Sequence, residues 1–251
     1  MEFRPGLEGI IAAETGISFL DVENEEIVVR GYDLIELAEN KTYLDVAYLL
    51  IEEKLPSDQE RARFESEIKS NSDLPKELIE ILSLLPKTTH PMDALRTGIS
   101  VLSGFDSLID DRSESANKQK TIKLLGQIPT IVASSYRLMN NQQVVPSDPE
   151  LSYTANFLYI LTGKKPTELE AKIFDRSLVA YIEHEMPNST FTARVISSTY
   201  SDLYGALTGA VSSLKGHLHG GANEAVMYML EEAGTKENYE NLLHRKLANK
   251  E

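Results

Sequence analysis

The sequence has 251 residues, of which 41% are hydrophobic, enough for one large globular domain or two modest ones. It contains no cysteine, which excludes disulfides, thiolate zinc sites and cysteine nucleophiles. Its 39 acidic and 25 basic residues give a net charge of −14, which repels polyanions such as nucleic acid. Since the sequence shows neither a signal-peptide pattern nor an apolar run approaching the roughly 18 residues of a membrane span, we expect a cytoplasmic protein that does not bind membranes.

Two short segments near the start have the residue pattern of β-strands. Residues 17–22 and 26–30 are separated by the turn-prone sequence Glu-Asn-Glu at positions 23–25. The pattern predicts a small β-hairpin ahead of a helical chain.

Helical periodicity dominates the rest of the sequence, and several helices have clear start signals. Thr42 is a predicted N-cap, Ser57 and Glu60 have the spacing of a capping box, and Pro75 suits the first turn of a helix. We predict helices over residues 43–53, after Ser57, and over 76–84, 89–103, 116–140 with a kink allowed at Pro129, 151–161, 167–185, 189–199, 202–214, 222–233 and 236–248. The expected fold is an all-α orthogonal or layered bundle with a small N-terminal β-hairpin.

Residues 205–213 are rich in small side chains at helical spacing. Such a stripe permits close helix contact, either inside the domain or at a subunit interface. Both interpretations stay open at this point.

His219 precedes two glycines at the predicted start of a helix. Glycine lets a ligand or another backbone approach closely, and a helix N-terminus disfavours a positively charged ring. His219 is therefore a candidate neutral hydrogen-bond donor to a carbonyl group.

His184 is predicted to have the opposite bias. Pro187 disfavours helical geometry at the residue before it, so we expect the helix that starts near residue 167 to end here, with His184 in its last turn. A helix C-terminus favours the imidazolium form. Asn188 or Ser189 is then the predicted N-cap of a helix that begins at Thr190, and this arrangement would suit a carboxylate-bearing ligand.

A neutral histidine and a cationic histidine together would suit an enzyme that enolises one substrate beside an anionic second substrate. Three alternatives remain. Each histidine can be a helix cap or a packing residue; His217 and His219 can bind a metal with a carboxylate such as Glu224, in a metal-dependent hydrolase; or the chain is a non-catalytic helical dimerisation module.

Two segments resemble the citrate synthase family. They are HEMPNSTFT at residues 184–192 and LKGHLHGGANE at residues 214–224. The segments RGYD at 30–33 and HPMDALR at 90–96 are also similar to early parts of that family, in the same order along the chain. The resemblance therefore extends over nearly the whole sequence.

Within the family, Tyr181 and Glu183 stand where many members carry histidine and aspartate. This version is similar to the 2-methylcitrate synthases, including those of Gram-positive bacteria.

The resemblance implies that residues 1–251 form a multi-helical citrate-synthase-like large domain. It implies that His219 hydrogen-bonds the thioester carbonyl of an acyl-CoA and stabilises its enol, while His184 and Asn188 bind oxaloacetate. The implied reaction condenses oxaloacetate with propionyl-CoA or acetyl-CoA and then hydrolyses the thioester, giving 2-methylcitrate or citrate and CoA. No metal or cofactor is implied, since the CoA thioester is a substrate, and the implied partner is a second copy of the chain.

The sequence departs from the family at its end. Family members continue beyond the equivalent of residue 251 into a small domain with a second catalytic histidine, an aspartate base, substrate-binding arginines and most of the CoA site. No segment of this sequence matches those motifs. We therefore expect the 251 residues to carry about half of an active site and to be inactive alone.

Overall fold

The computed structural model describes residues 9–249, which form a small antiparallel sheet followed by helices. The strands are β1 Ser18–Asp21, β2 Glu26–Val29 and β3 Tyr32–Asp33, in the order β1-β2-β3. The predicted hairpin is confirmed, with Ser18 opposite Val29, and Asp21 Oδ1 accepts hydrogen bonds from two backbone N–H groups of its turn. The short β3 strand was not predicted.

Twelve α-helices follow within the described residues. They are α1 Leu34–Asn40, α2 Tyr43–Glu52, α3 Asp58–Ser70, α4 Lys76–Ser83, α5 Pro91–Leu102, α6 Glu114–Met139, α7 Tyr153–Thr162, α8 Glu168–Ala180, α9 Asn188–Ser197, α10 Leu203–Leu214, α11 Gly221–Ala233 and α12 Lys236–Asn249. The all-α class is confirmed. No helix in residues 9–249 is both long enough and apolar enough to span a bilayer.

Local capping signals explain where several helices begin. Thr42 and Ser57 form the capping boxes of α2 and α3, each with an acidic residue three positions later. The sequence predicted Pro75 in the first turn of a helix. It lies at the N-cap position of α4, one residue before that turn. Helix α1 was not predicted from the sequence; Asp33 caps it by accepting a hydrogen bond from the Glu36 N–H.

The predicted end of α8 and the predicted start of α9 are both wrong. Helix α8 ends at Ala180, five residues before the predicted end, and α9 begins at Asn188 with Pro187 at its N-cap position. After α8 the chain passes the sheet, where Ser18 Oγ donates a hydrogen bond to Glu183 Oε1 at 2.8 Å. Residues 181–187 therefore form a connecting loop, and Asn188 lies in the first turn of α9.

The largest apolar core lies between α4, α5, α6 and α10. It consists of Leu78, Leu82, Ile99, Leu102, Leu124, Ile131, Tyr204 and Val211. Helix α6 runs through it as a single 26-residue helix that continues past Pro129. Two further cores lie between the sheet, α1, α2 and α8, and between α2 and α3.

The small-residue stripe of residues 205–213 packs α10 against α9. A Cβ atom added to Gly209 would lie 2.1 Å from Ile196 Cδ1, so α9 and α10 approach closely here and a larger residue would require the Ile196 side chain to move. At Gly209 the stripe thus serves packing within the chain, whereas its use at a subunit interface stays a prediction. The last two helices, α11 and α12, pack against each other and leave most of their apolar side chains exposed.

Gly126 allows α6 to lie close against the end of α3. A Cβ atom there would lie 2.6 Å from the Ile68 carbonyl oxygen and 2.9 Å from that of Asn71. Because both obstacles are backbone, we expect Gly126→Ala to lower the free energy of unfolding by about 1–3 kcal/mol. Urea denaturation of Gly126→Ala and of Gly104→Ala, where a Cβ atom meets nothing within 4 Å, tests this. Equal stability of the two variants would contradict it.

Asp106 anchors the start of α10 to α6 through a buried polar cluster. Its carboxylate accepts hydrogen bonds from Tyr204 Oη at 2.5 Å, Lys123 Nζ at 3.0 Å and the Leu108 N–H at 2.9 Å. Burial alone raises the pKa of Asp106, but these hydrogen bonds outweigh burial and hold the pKa below its usual value. The ionised form is therefore the one that stabilises the fold.

Because the pKa of Asp106 is lowered in the folded chain, its contribution to the free energy of unfolding depends on pH. Since the folded pKa lies below the unfolded one, the contribution is complete above pH 4 or so and disappears as pH falls through the folded pKa. We expect Asp106→Asn to cost about 1–3 kcal/mol at pH 7 and less below about pH 4. Urea unfolding between pH 7 and pH 3 measures this, with Asp110→Asn as a control for the same charge change at an exposed position. A pH-independent difference from the native chain would refute the assignment.

Candidate active site

His219 lies in the turn between α10 and α11, and the glycines after it are needed by this turn. A Cβ atom on Gly220 would lie 2.5 Å from the Leu214 carbonyl oxygen, and one on Gly221 would lie 3.0 Å from that of Gly216. The His219 N–H donates to the same Gly216 carbonyl at 2.9 Å. The glycines therefore permit the close approach of another backbone, one of the two roles considered for them.

The His219 ring reaches the N-terminus of α9. Its Nε2 lies 3.3 Å from the Ser189 backbone nitrogen, whose N–H donates to it, and 3.1 Å from Ser189 Oγ. A peptide N–H can only donate, so Nε2 must be the acceptor, and we assign a neutral ring with its proton on Nδ1. This hydrogen bond agrees with the neutral ring predicted from the sequence, which stays a prediction.

Asn188 lies beside this contact, in the first turn of α9. Its Oδ1 accepts a hydrogen bond from Ser213 Oγ at 2.9 Å, which ties α9 to α10, and lies 3.4 Å from Thr192 Oγ1 within α9. Within the described part of the chain its Nδ2 has no acceptor. An exposed amide donor is thus available next to the free N–H groups of a helix N-terminus.

His184 is the predicted site residue that the structure leaves apart. It lies in the loop of residues 181–187, is exposed, and makes no hydrogen bond or ion pair with another residue in the range 9–249. It is not in the last turn of α8, so the predicted stabilisation of its charge by that helix terminus is wrong. His184 lies in the loop that leads to Asn188, four residues before it. Its substrate-binding role stays a prediction.

His90 has a partner that the sequence analysis missed. It caps α5, where its Nδ1 accepts a hydrogen bond from the Met92 N–H at 3.2 Å. Its Nε2 lies 3.2 Å from Glu224 Oε2 of α11, 134 positions away. A cavity of about 330 Å³ is lined by both residues and by Lys215, whose Nζ forms an ion pair with Asp93 at 2.6 Å.

The metal-site alternative has no support in the structure. Glu224 is bound by Tyr228 Oη at 2.7 Å and by His90, and these hydrogen bonds together with the nearby His217 lower its pKa. His219 Nε2 faces Ser189 instead. In residues 9–249 no group of three or more histidine, aspartate or glutamate side chains is arranged to hold a metal ion.

Comparisons with known proteins agree with this fold and these segments. The family model described as "Citrate synthase, C-terminal domain" matches residues 6–251. The chain is 61% identical to citrate synthase of Heyndrickxia coagulans, covering 100% of this chain and 67% of that protein. It is 59% identical to citrate/2-methylcitrate synthase of Bacillus subtilis (strain 168), covering 99% and 67%.

Solved structures show the same likeness. The crystal structure of citrate synthase from Thermotoga maritima superposes with a TM-score of 0.85 at 33% identity, over 99% of this chain and 66% of that one. Citrate synthase from Thermoplasma acidophilum has a TM-score of 0.91 at 24% identity, over 99% and 65%, which shows the fold alone. The chain thus spans about two thirds of the length of these relatives.

Fold and matches together define one class of enzyme, an all-helical synthase. The chain belongs to the citrate synthase family, whose reaction is the condensation of an acyl-CoA with oxaloacetate. The predicted resemblance is confirmed.

The tautomer of His219 gives a direct test of the site geometry. We expect nitrogen-15 NMR to show a neutral His219 ring with Nδ1 protonated, and to show the same in Ser189→Ala, which keeps the backbone donor and loses only the hydroxyl. The exposed His217 is an internal reference. A His219 ring protonated on Nε2 in either protein would contradict the assignment.

Proposed function

We propose that this chain supplies the enolising side of an active site that condenses an acyl-CoA with oxaloacetate, and that His219 is the catalytic hydrogen-bond donor. The observation that carries the proposal is the hydrogen bond from the Ser189 N–H to His219 Nε2. Because Nε2 is occupied as an acceptor, the one remaining donor of the neutral ring is Nδ1–H. A fixed neutral donor is suited to a thioester oxygen that gains negative charge during enolisation.

The proposed reaction has three steps, enolisation, condensation and thioester hydrolysis. A base removes the α-proton of the acyl-CoA while His219 Nδ1–H stabilises the enol oxygen. The enol carbon attacks the ketone carbon of oxaloacetate, forming a carbon–carbon bond, and the ketone oxygen takes up a proton. Water then cleaves the thioester and releases CoA. No aspartate of this sequence stands in a motif that matches the family's base.

Asn188 and His184 are the proposed oxaloacetate ligands. Two features support Asn188: an exposed Nδ2 without an acceptor among the described residues, and its place in the first turn of α9, where N–H groups and partial positive charge favour a carboxylate. His184 is supported by its exposure and its place in the loop that leads to Asn188. In these roles, both side chains would supply hydrogen-bond donors to an anionic substrate in a chain whose net charge is negative.

The proposed function also includes an oligomeric state, a cellular location and the acyl-CoA substrates. We propose a homodimer located in the cytoplasm, which uses the CoA thioester as a substrate and needs no metal. Propionyl-CoA and acetyl-CoA are both candidate substrates, because the relatives include a citrate synthase and a citrate/2-methylcitrate synthase. The assignment of residues 1–251 to the family's large domain stays a prediction.

The proposal is tested by following CoA release with a thiol reagent. We expect no turnover of propionyl-CoA or acetyl-CoA by the 251 residues alone. We expect turnover once they are joined to the third of the Bacillus subtilis relative that lies outside the match. In that joined protein His219→Ala should lower kcat by about 10²–10⁴-fold.

Matched variants separate the roles in this experiment. His217→Ala removes an exposed imidazole two positions away and should leave kcat within about twofold. Asn188→Ala and His184→Ala should mainly raise the KM for oxaloacetate. A joined protein that keeps full activity without the His219 imidazole would refute the proposed role, and robust turnover by the 251 residues alone would refute the expectation of inactivity.

A further inference from the structure

Helix α11, which starts two residues after His219, has a sparse attachment to the preceding helices. Its side chains make one hydrogen bond to an element that precedes His219 within residues 9–249, the bond between Glu224 and His90 of the α5 cap. Its other side-chain bonds stay within α11 or join it to α12. The orientation of the first turn of α11 therefore depends on this bond and on the glycine turn.

The direction of this hydrogen bond follows from the α5 cap. His90 Nδ1 accepts from the Met92 N–H, so in the neutral ring the proton lies on Nε2, which donates to Glu224 Oε2. The second carboxylate oxygen, Oε1, accepts from Tyr228 Oη one turn further along α11. Both carboxylate oxygens are thus occupied, and the Glu224 side chain is held in one orientation between α5 and α11.

The two histidines have opposite tautomers for the same physical reason. A backbone N–H occupies Nδ1 of His90 and Nε2 of His219, which leaves one ring donor on each. His90 uses its donor to hold the start of α11, whereas the donor of His219 faces no acceptor among the described residues. Because His219 lies two residues before α11, a change in the orientation of the first turn of α11 would move the His219 ring away from Ser189.

We propose that His90 and Glu224 are a positioning pair that fixes the first turn of α11 on α5 and so keeps His219 hydrogen-bonded to Ser189. Neither residue touches the reacting atoms in this account. Its catalytic consequence rests on the proposed function of His219, but the structural coupling of the two contacts does not. The coupling can therefore be measured without turnover.

The experiment uses the 251-residue chain and compares Glu224→Ala with Tyr228→Phe. Glu224→Ala removes the bond to α5, whereas Tyr228→Phe removes the other bond to the same carboxylate and leaves the link to α5. In Glu224→Ala we expect the His219 ring to populate both tautomers, and the amides of residues 222–226 to exchange about 10-fold faster with deuterium. In Tyr228→Phe we expect the native tautomer and exchange within about twofold.

Two conservative variants separate positioning from general stability. Glu224→Gln keeps an acceptor for His90 and should restore the native His219 tautomer. His90→Asn keeps an acceptor for the Met92 N–H but is too short to reach Glu224, so it should act like Glu224→Ala while α5 remains capped. An unchanged His219 ring in both Glu224→Ala and His90→Asn would overturn the proposal.

A kinetic arm in the joined protein distinguishes this proposal from the proposed function. A misplaced catalytic donor should lower kcat by about 10–100-fold in Glu224→Ala while KM for oxaloacetate stays within about twofold. If His219→Ala keeps full activity while Glu224→Ala still alters the His219 ring, the proposed function fails and the positioning pair stands. If His219→Ala is inactive and Glu224→Ala matches the native protein in kcat and ring tautomer, the positioning pair fails alone.

Discussion

The hydrogen bond from the Ser189 N–H to His219 Nε2 is the interaction on which the candidate site depends. A peptide N–H has no second role, so it fixes both the tautomer of the ring and the direction of its one free donor. The bond needs the N-terminus of α9 and the turn before α11 to meet. Helix α9 packs closely on α10 at Gly209, and the glycines at positions 220 and 221 allow the tight turn before α11. Together these features bring the two parts of the chain into contact.

Helix α5 is the element that holds this arrangement together. Its N-terminal turns contact the end of α10 through the ion pair of Asp93 with Lys215, and α11 through His90 and Glu224. Exposed polar contacts contribute little stability one at a time. Their value here is geometric, because each fixes the relative position of two chain segments more than 100 residues apart in sequence.

Charge explains why backbone and amide donors dominate the described site. The chain has a net charge of −14, and Lys215, the cation that lines the cavity between α5 and α11, is already paired with Asp93. Within the described residues, groups that carry partial positive charge without a counter-ion are therefore suited to an anionic substrate. The first turn of α9, with Asn188 and free N–H groups, is such a place.

The sequence by itself determined the features that local chemistry controls: the hairpin, the capping boxes of α2 and α3, and the segments around His184 and His219 that identify the family. Hydrogen bonds within three or four residues, or motifs read directly from the chain, suffice for these. Only the tertiary structure showed that α8 ends at Ala180 and that Glu183 contacts Ser18 of the sheet, 165 positions away, because such a contact leaves no local pattern in the sequence. It also decided the partners of His219 and His90, because residues brought together by folding leave no spacing in the sequence from which the contact can be read.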